Sequence, residues 1–462
     1  MNNIFFDEVS GFGTIARKIR TFLSILRSRF LIFFLNLGGR ATPSILVALL
    51  WKLSFYRVKG VHCNKRSRPK ILVLDKSIGT NDVVASYSTP ADYDVQFMSR
   101  SMVKILAKHF LRGSVGDHDY RNDDPVVHRL KEEYRNKLKK VLYWLKIFFD
   151  VRVLISFNPT YYAERELTSA SKEVGIRFVV LHKESNSNEN IWRQSVQIIQ
   201  SEIRKFDGDL IIPYNNYVRD AYLTSGIVDS DRVIVSGCPR LDFAHSLRGT
   251  LSSKEKKSVV YYMTNPLAGL GLLGKKGGRF HSMKISDAYE GIWMENILQL
   301  NAAFAELVIE NPDVNFIIKG KIGFFRDQQV LAEKEIDLEQ MKNLKCVSGG
   351  SGEKLLKSAS AVIGFNSVTV YEAIAAGIPV ITPRFKMKRN DFYDEFASDV
   401  CGATLCPTSA VEFKAAVIEC HTERGFYQEL SDRQIEVLEN YMGNSDGMSG
   451  ARVKKILDSL MN

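Results

Sequence analysis

The amino-acid sequence predicts an α/β protein built from two parallel-sheet domains. Three observations carry that prediction. From residue 70 onward, short runs rich in Val, Ile and Leu alternate with longer amphipathic segments, the pattern of repeated βαβ units. At 462 residues, 45% of them hydrophobic and 25% charged, the chain is long enough to bury two such cores. A polar run at 248–257, RGTLSSKEKK, separates two alternating stretches. The expected organisation is an N-terminal segment over 1–69, a first domain over 70–248, a second over 258–445, and a C-terminal helix over 446–462 that crosses back to the first domain.

The N-terminal segment is set apart by charge. Residues 1–70 hold 13 Lys and Arg against Asp7 and Glu8, so the whole net charge of +11 resides there and the remainder is neutral. A neutral body argues against nucleic acid as the partner. On a helix over 15–37, Ile15, Ile19, Phe22, Leu23, Leu26, Phe30, Phe33 and Leu37 fall within about a third of the circumference, while Arg17, Lys18, Arg20, Arg27 and Arg29 lie off that stripe. A basic face beside an aromatic-aliphatic one is the pattern of a helix lying on anionic headgroups. The longest apolar run there, 30–35, is far below the ~20 residues that span a bilayer. A second apolar segment, 45–51, follows and ends near Lys52 and Arg57. The six cysteines form no CxxC, the eight histidines no HxxxH, and no secretory signal is visible. These features predict a reducing compartment, no metal site, and a cytoplasmic protein peripheral on the inner face of a membrane.

In the first domain the predicted order is a strand at 71–74 ending in Asp75 and Lys76, a turn over 77–82, a strand at 93–98, and helices at 101–111 and 126–149. A strand at 151–156, a helix at 163–174 closed by Gly175, a strand at 178–181, a helix at 190–206 and a strand at 210–212 follow. A helix at 216–224 and a short strand at 233–235 complete it. The second domain has strands at 258–263 and 315–318 around a helix at 290–310, a short helix at 353–358, and later helices at 411–419, 431–441 and 451–461. Its Gly- and Lys-rich loop at 269–280 lacks GxxxxGK[ST] and is not a P-loop. Four DxD triplets (from Asp92, Asp117, Asp207 and Asp229) fall at or before strand starts or in a polar loop, and read as turn residues.

The most informative stretch is 360–383, SAVIGFNSVTVYEAIAAGIPVITP. An apolar strand at 361–365 is followed by Asn366, Ser367 and Thr369, which suit a helix N-cap. A short helix at 370–376 ends at Gly377, and a strand restarts at 378–381. The polar groups lie just past a strand's carboxyl end, where open α/β sheets bind ligands, with Glu372 close by.

This segment resembles the nucleotide-sugar site of two-Rossmann-domain (GT-B) glycosyltransferases. The resemblance implies that Ser367 and Thr369 meet the donor phosphates and that Glu372 holds the ribose hydroxyls. Residues 237–242, Gly-Cys-Pro-Arg-Leu-Asp, resemble the G-x-P-R-x-D segment of bacterial surface-polymer transferases, among them teichoic-acid glycerophosphotransferases and capsule or lipopolysaccharide glycosyltransferases. Arg240 can pair a donor phosphate there, or form an interdomain ion pair with Asp242 or another carboxylate. Lys319 and Lys321 stand where many GT-B enzymes place a phosphate-binding cation, and Thr264 and Asn265 can add donors to the same phosphates. His182 and Glu184, just beyond the strand at 178–181, are the candidate bases for the acceptor hydroxyl. The tryptophan-histidine-glycine signature of the glycerophosphotransferases and the His-Pro pair of CMP-sugar users have no counterpart. The resemblance implies a membrane-associated glycosyltransferase of surface-polysaccharide assembly, without metal or cofactor, with a nucleotide sugar as donor and a lipid-linked glycan as acceptor. CDP-alditol-dependent polyol-phosphate transferases and non-hydrolysing nucleotide-sugar epimerases share the architecture and remain alternatives.

Overall fold

A computed structural model of the chain describes residues 30–63, 69–117, 120–121, 124–183, 188–202, 204–250, 258–262, 287–320, 341–348, 352–365, 367–385, 398–422 and 429–461. The N-terminal segment contributes helix α1 (30–38) and helix α2 (Ser44–Leu53).

The first domain is a five-stranded sheet of β1 (Lys70–Asp75), β2 (Asp94–Ser99), β3 (Val151–Ser156), β4 (Arg177–Leu181) and β5 (Leu210–Ile212), ordered β2-β1-β3-β4-β5. Every ladder is parallel; Leu72 sits between Gln96 and Leu154. These near-continuous apolar strands are what a sheet covered on both faces requires. The covering helices are α3 (Ser77–Ser86), α4 (Ser101–Leu111), α5 (Pro125–Phe149), α6 (Tyr162–Glu173), α7 (Glu189–Glu202) and α8 (Asn216–Thr224); α9 (Leu241–Leu247) follows them and buries Leu241, Ala244 and Leu247 in the second domain's core. Helix α5 starts where the Asp124 side chain accepts from the Val126 amide, with Pro125 at the first helical position.

The second domain repeats the plan. Its strands β6 (Ser258–Tyr261), β7 (Phe316–Gly320), β8 (Leu344–Ser348), β9 (Ala359–Ile363) and β10 (Val380–Ile381) are ordered β10-β9-β6-β7-β8, again all parallel. Helices α10 (Asp287–Glu310), α11 (Glu353–Leu356), α12 (Val368–Ala375), α13 (Ala410–Thr422) and α14 (Asp432–Met442) accompany it. The last helix, α15 (Ser449–Met461), packs on the first domain: Val453 and Leu457 join the core of Ile71, Val73 and Tyr87, and Tyr93 donates to Asp458 Oδ1 at 2.5 Å. The molecule is thus two parallel-sheet α/β domains, the GT-B type of arrangement, with the chain's end returned to the first.

Three local expectations are corrected. Residues 77–82 are the start of helix α3, not a turn. Gly79, Thr80 and Asn81 are weak helix formers, and the helix is held by packing: Gly79 lies so close to the Phe157 ring that a Cβ would overlap it, and Val83 is fully buried. The strand at 233–235 shrinks to a single bridge, Ile211 with Val233. Cys401 and Cys406 are joined in a disulfide across a sequence separation of five, a spacing that carries no motif; Cys63, Cys238, Cys346 and Cys420 are not disulfide-bonded.

Each sheet has one point where the chain reverses its direction of strand addition, between β1 and β3 in the first and between β6 and β9 in the second. The crevices outside the carboxyl ends of those strand pairs are where open α/β sheets bind ligands. Among the described residues no helix is long and apolar enough to cross a membrane, and no group of three His, Cys, Asp or Glu is placed to hold a metal ion.

Candidate active site

The β6/β9 crevice collects the polar groups that follow β9. Ser367, in extended backbone, caps α12, its Oγ accepting from the Thr369 amide at 3.4 Å. The start of α12 therefore lies at the crevice with its first amides directed out of the helix, an arrangement suited to an anion. Glu372, one turn further along, is mostly buried and stands beside Tyr262 at the end of β6 and beside Gly352. The Tyr262 hydroxyl donates to the Gly352 carbonyl at 3.3 Å; burial, and then the Glu372 charge, push its pKa up. Lys319 lies inside β7, two strands from β9 and so roughly 10 Å to the side. Its Nζ donates to the Gly320 carbonyl at 3.1 Å, and burial lowers its pKa.

The first domain meets this crevice through Asp82. Helix α3 places that carboxylate in full burial, where Tyr214 donates to its Oδ2. Arg240 donates to it twice, from the backbone amide to Oδ1 and from Nη1 to Oδ2, both at 3.3 Å. The same Nη1 reaches the Tyr214 oxygen at 3.2 Å, and the guanidinium's Nε stands 3.9 Å from Glu372 Oε1. Burial raises the Asp82 pKa; the Arg240 charge and the Tyr214 hydrogen bond oppose it. Arg240 is itself buried, so it bridges a first-domain carboxylate to a second-domain one.

Of the two roles open to Arg240 in the sequence, the ion pair is therefore realised, and with Asp82 and Glu372. Asp242 does something else: it accepts from the Ser449 amide (3.1 Å), the Gly450 amide (2.7 Å) and Asn444 Nδ2 (2.8 Å), capping α15. Sequence reasoning missed Tyr214 and placed Asp82 only at the end of a turn. Tyr214 had a positional signal, falling two residues past β5 and just before Asn215, the N-cap of α8.

His182 follows β4 and is 2% exposed, edge-on to Trp192 at 6.0 Å and to Tyr222 at 5.6 Å between ring centroids. Its backbone amide donates to the Ile212 carbonyl at 2.9 Å. Lys183, also buried, acts on Asp82 through its charge. Glu184, Lys321, Thr264, Asn265 and Asn366 lie outside the described residues. The β1/β3 crevice has a polar floor: Asp75 accepts from Tyr56 and Thr80, Glu164 accepts from Arg100 and Ser156, and the Arg100 guanidinium lies 3.3 Å over the Tyr161 ring. The structure thus brings together Ser367, Thr369, Glu372 and Arg240, sets Lys319 to one side, and keeps His182 in an aromatic cage.

No protein-family model and no curated protein sequence matches the chain. Among solved structures, it is similar to a putative UDP-N-acetylglucosamine 2-epimerase from Listeria monocytogenes (TM-score 0.48, 10% identity, 85% of this chain and 96% of that one). It is also similar to a glycosyltransferase from Rickettsia africae (0.44, 14%, 86% and 99%) and to the wall teichoic acid polymerase TagF (0.44, 11%, 96% and 98%). These are likenesses in the path of the chain alone.

Proposed function

We propose that this protein is a glycosyltransferase that moves a sugar from a nucleotide-sugar donor to a growing, lipid-linked surface glycan, working at the inner face of a bacterial membrane through its basic segment at 1–69. The observation that carries the reading is the joining of Glu372, one turn beyond the Ser367 cap, to Asp82 of the facing domain through Arg240.

In this reading the donor lies in the β6/β9 crevice. Its diphosphate meets the first amides of α12, Ser367, Thr369, Lys319, Lys321, Thr264 and Asn265, and its ribose hydroxyls donate to Glu372. The acceptor hydroxyl enters from the β1/β3 side. Its oxygen bonds to the anomeric carbon as the bond from that carbon to the diphosphate breaks, and its proton passes to a base. His182 and Glu184 are the candidates; the cage around His182 favours Glu184. A fixed Arg240 keeps Glu372 in one position, the kind of pre-organisation that lowers the cost of binding.

The test is calorimetric titration with UDP-, GDP- and CMP-sugars and with CDP-alditols, alongside mass analysis of any nucleotide that co-purifies. A nucleotide sugar should bind, and Glu372→Ala should weaken it at least tenfold while circular dichroism shows the fold intact. Binding of CDP-alditols alone would assign the polyol-phosphate reaction instead. Wild-type affinity in Glu372→Ala for every nucleotide would remove the donor site from this crevice.

A further inference from the structure

Among the described residues, the exposed large apolar side chains are concentrated on three neighbouring helices. On α1, Phe30, Phe33, Phe34 and Leu37 are exposed while Leu31 and Leu35 are buried in the first core. On α2, Ile45, Leu46, Leu49 and Leu53 form an exposed stripe opposite buried Val47, Ala48 and Trp51. Helix α2 runs alongside the second half of α5: Lys137 donates to the Thr42 carbonyl at one end, and Lys52 lies 5.7 Å over the Phe149 ring at the other.

The exposed face of α5 changes character along its length. After Val126 in the first turn, His128, Arg129, Glu132, Glu133, Asn136 and Lys140 occupy it, then Tyr143, Ile147 and Phe148 over the last two turns. Phe148 is stacked on Trp144 with ring centroids 5.2 Å apart. A solvated helix end has no reason to switch from charged to aromatic residues, and contiguous exposed apolar surface on this scale marks an interaction site.

We infer that α1, α2 and the C-terminal end of α5 together form one docking face, and that its occupant is a bilayer containing anionic lipid. Charge selects that occupant. Helices α1 and α2 belong to the segment that holds the chain's entire excess of +11, so a second copy would bring like charge against like, whereas anionic headgroups complement it. Lys52 and Lys140 border the apolar stripes, where long basic side chains reach headgroups while their stems cover apolar surface. The inference rests on the membrane reading given above and extends it: the basic segment supplies attraction, while α5, about a hundred residues away in the chain, supplies insertion and fixes the first domain against the surface.

The test uses the full chain and flotation with phosphatidylglycerol-containing or pure phosphatidylcholine vesicles. The wild type should float with the anionic vesicles, and the emission of Trp144, isolated by difference with Trp144→Phe, should shift to the blue and be quenched by brominated lipid. In Ile147→Ser/Phe148→Ser the partition coefficient should fall about tenfold or more, with an unchanged melting curve. Wild-type flotation of that double variant would overturn the inference. So would an unmoved Trp144 signal, meaning that residues 1–29 already cover the face, or a dimer in light scattering that the double variant dissociates. Deleting residues 1–29 tests the basic segment separately: if that deletion alone abolishes binding while the double variant binds normally, the basic-segment reading stands and this one fails.

Discussion

Arg240 shows how one buried side chain can join two domains and a candidate site. A guanidinium taken out of water is tolerated only with carboxylates in good geometry, and here Asp82 and Glu372 supply them from opposite domains. Asp82→Ala would leave that cation under-compensated and is expected to cost about 3–5 kcal/mol in urea unfolding, with much of the loss recovered in Asp82→Ala/Arg240→Met. Recovery failing in the double variant would mean that Asp82 matters for packing and not for charge. The base is the other question at this scale. Either Glu184→Gln or His182→Asn should lower turnover about 10²–10⁴-fold while leaving donor affinity in place. Near-normal turnover in both would move the proton to Asp75 or Asp82.

At the scale of elements, the turn after α14 is as constrained as the site. Gly443 ends that helix at φ 58, and a Cβ there would overlap the Tyr214 carbonyl oxygen. The strand-like strap at 236–238 lies against it: the Cys238 amide donates to the Met442 carbonyl at 2.8 Å, Asn444 Nδ2 donates to the Cys238 carbonyl at 2.8 Å, and Arg452 Nε donates to the Ser236 carbonyl at 2.8 Å. Gly443→Ala should therefore destabilise by more than the about 1–2 kcal/mol of the left-handed backbone alone, read as a lowered melting temperature. Ser367→Ala removes only a cap and should cost about 1 kcal/mol. Equal melting temperatures for the two variants would contradict the overlap at Tyr214.

Across the whole molecule, the two domains share a clasp in which α9 faces the start of α15. His245 Nε2 donates to the Asn444 carbonyl at 3.0 Å, and burial holds the imidazole pKa below its usual 6.5. The folded pKa is the lower one, so the clasp's contribution is complete above pH 6.5 and is lost as pH falls below it, because the unfolded chain takes up the proton first. Denaturation midpoints measured from about pH 7.5 down to about pH 5 should fall more steeply in the wild type than in His245→Gln. Parallel profiles would show that the imidazole does not titrate on unfolding in that range.

The alternation of apolar strands and amphipathic helices determined the fold class and most of its elements, because a strand buried on both faces must be written as a nearly unbroken apolar run. Helix α4 and strands β3 and β5 stand within the ranges that periodicity sets. The Ser367 cap and the position of Glu372 were legible too, since caps and turns are local chemistry. Only the tertiary structure decided α3, whose Gly79-Thr80-Asn81 favours a turn until Phe157 and the sheet close over it. With α3 came the burial of Asp82 against Tyr214 and Arg240, residues 132 and 158 positions apart from it in the chain. The cage around His182 is of the same kind. Each depends on which groups are left without water when distant segments meet, and burial, unlike periodicity, is not a property that neighbouring residues in a chain can set between themselves.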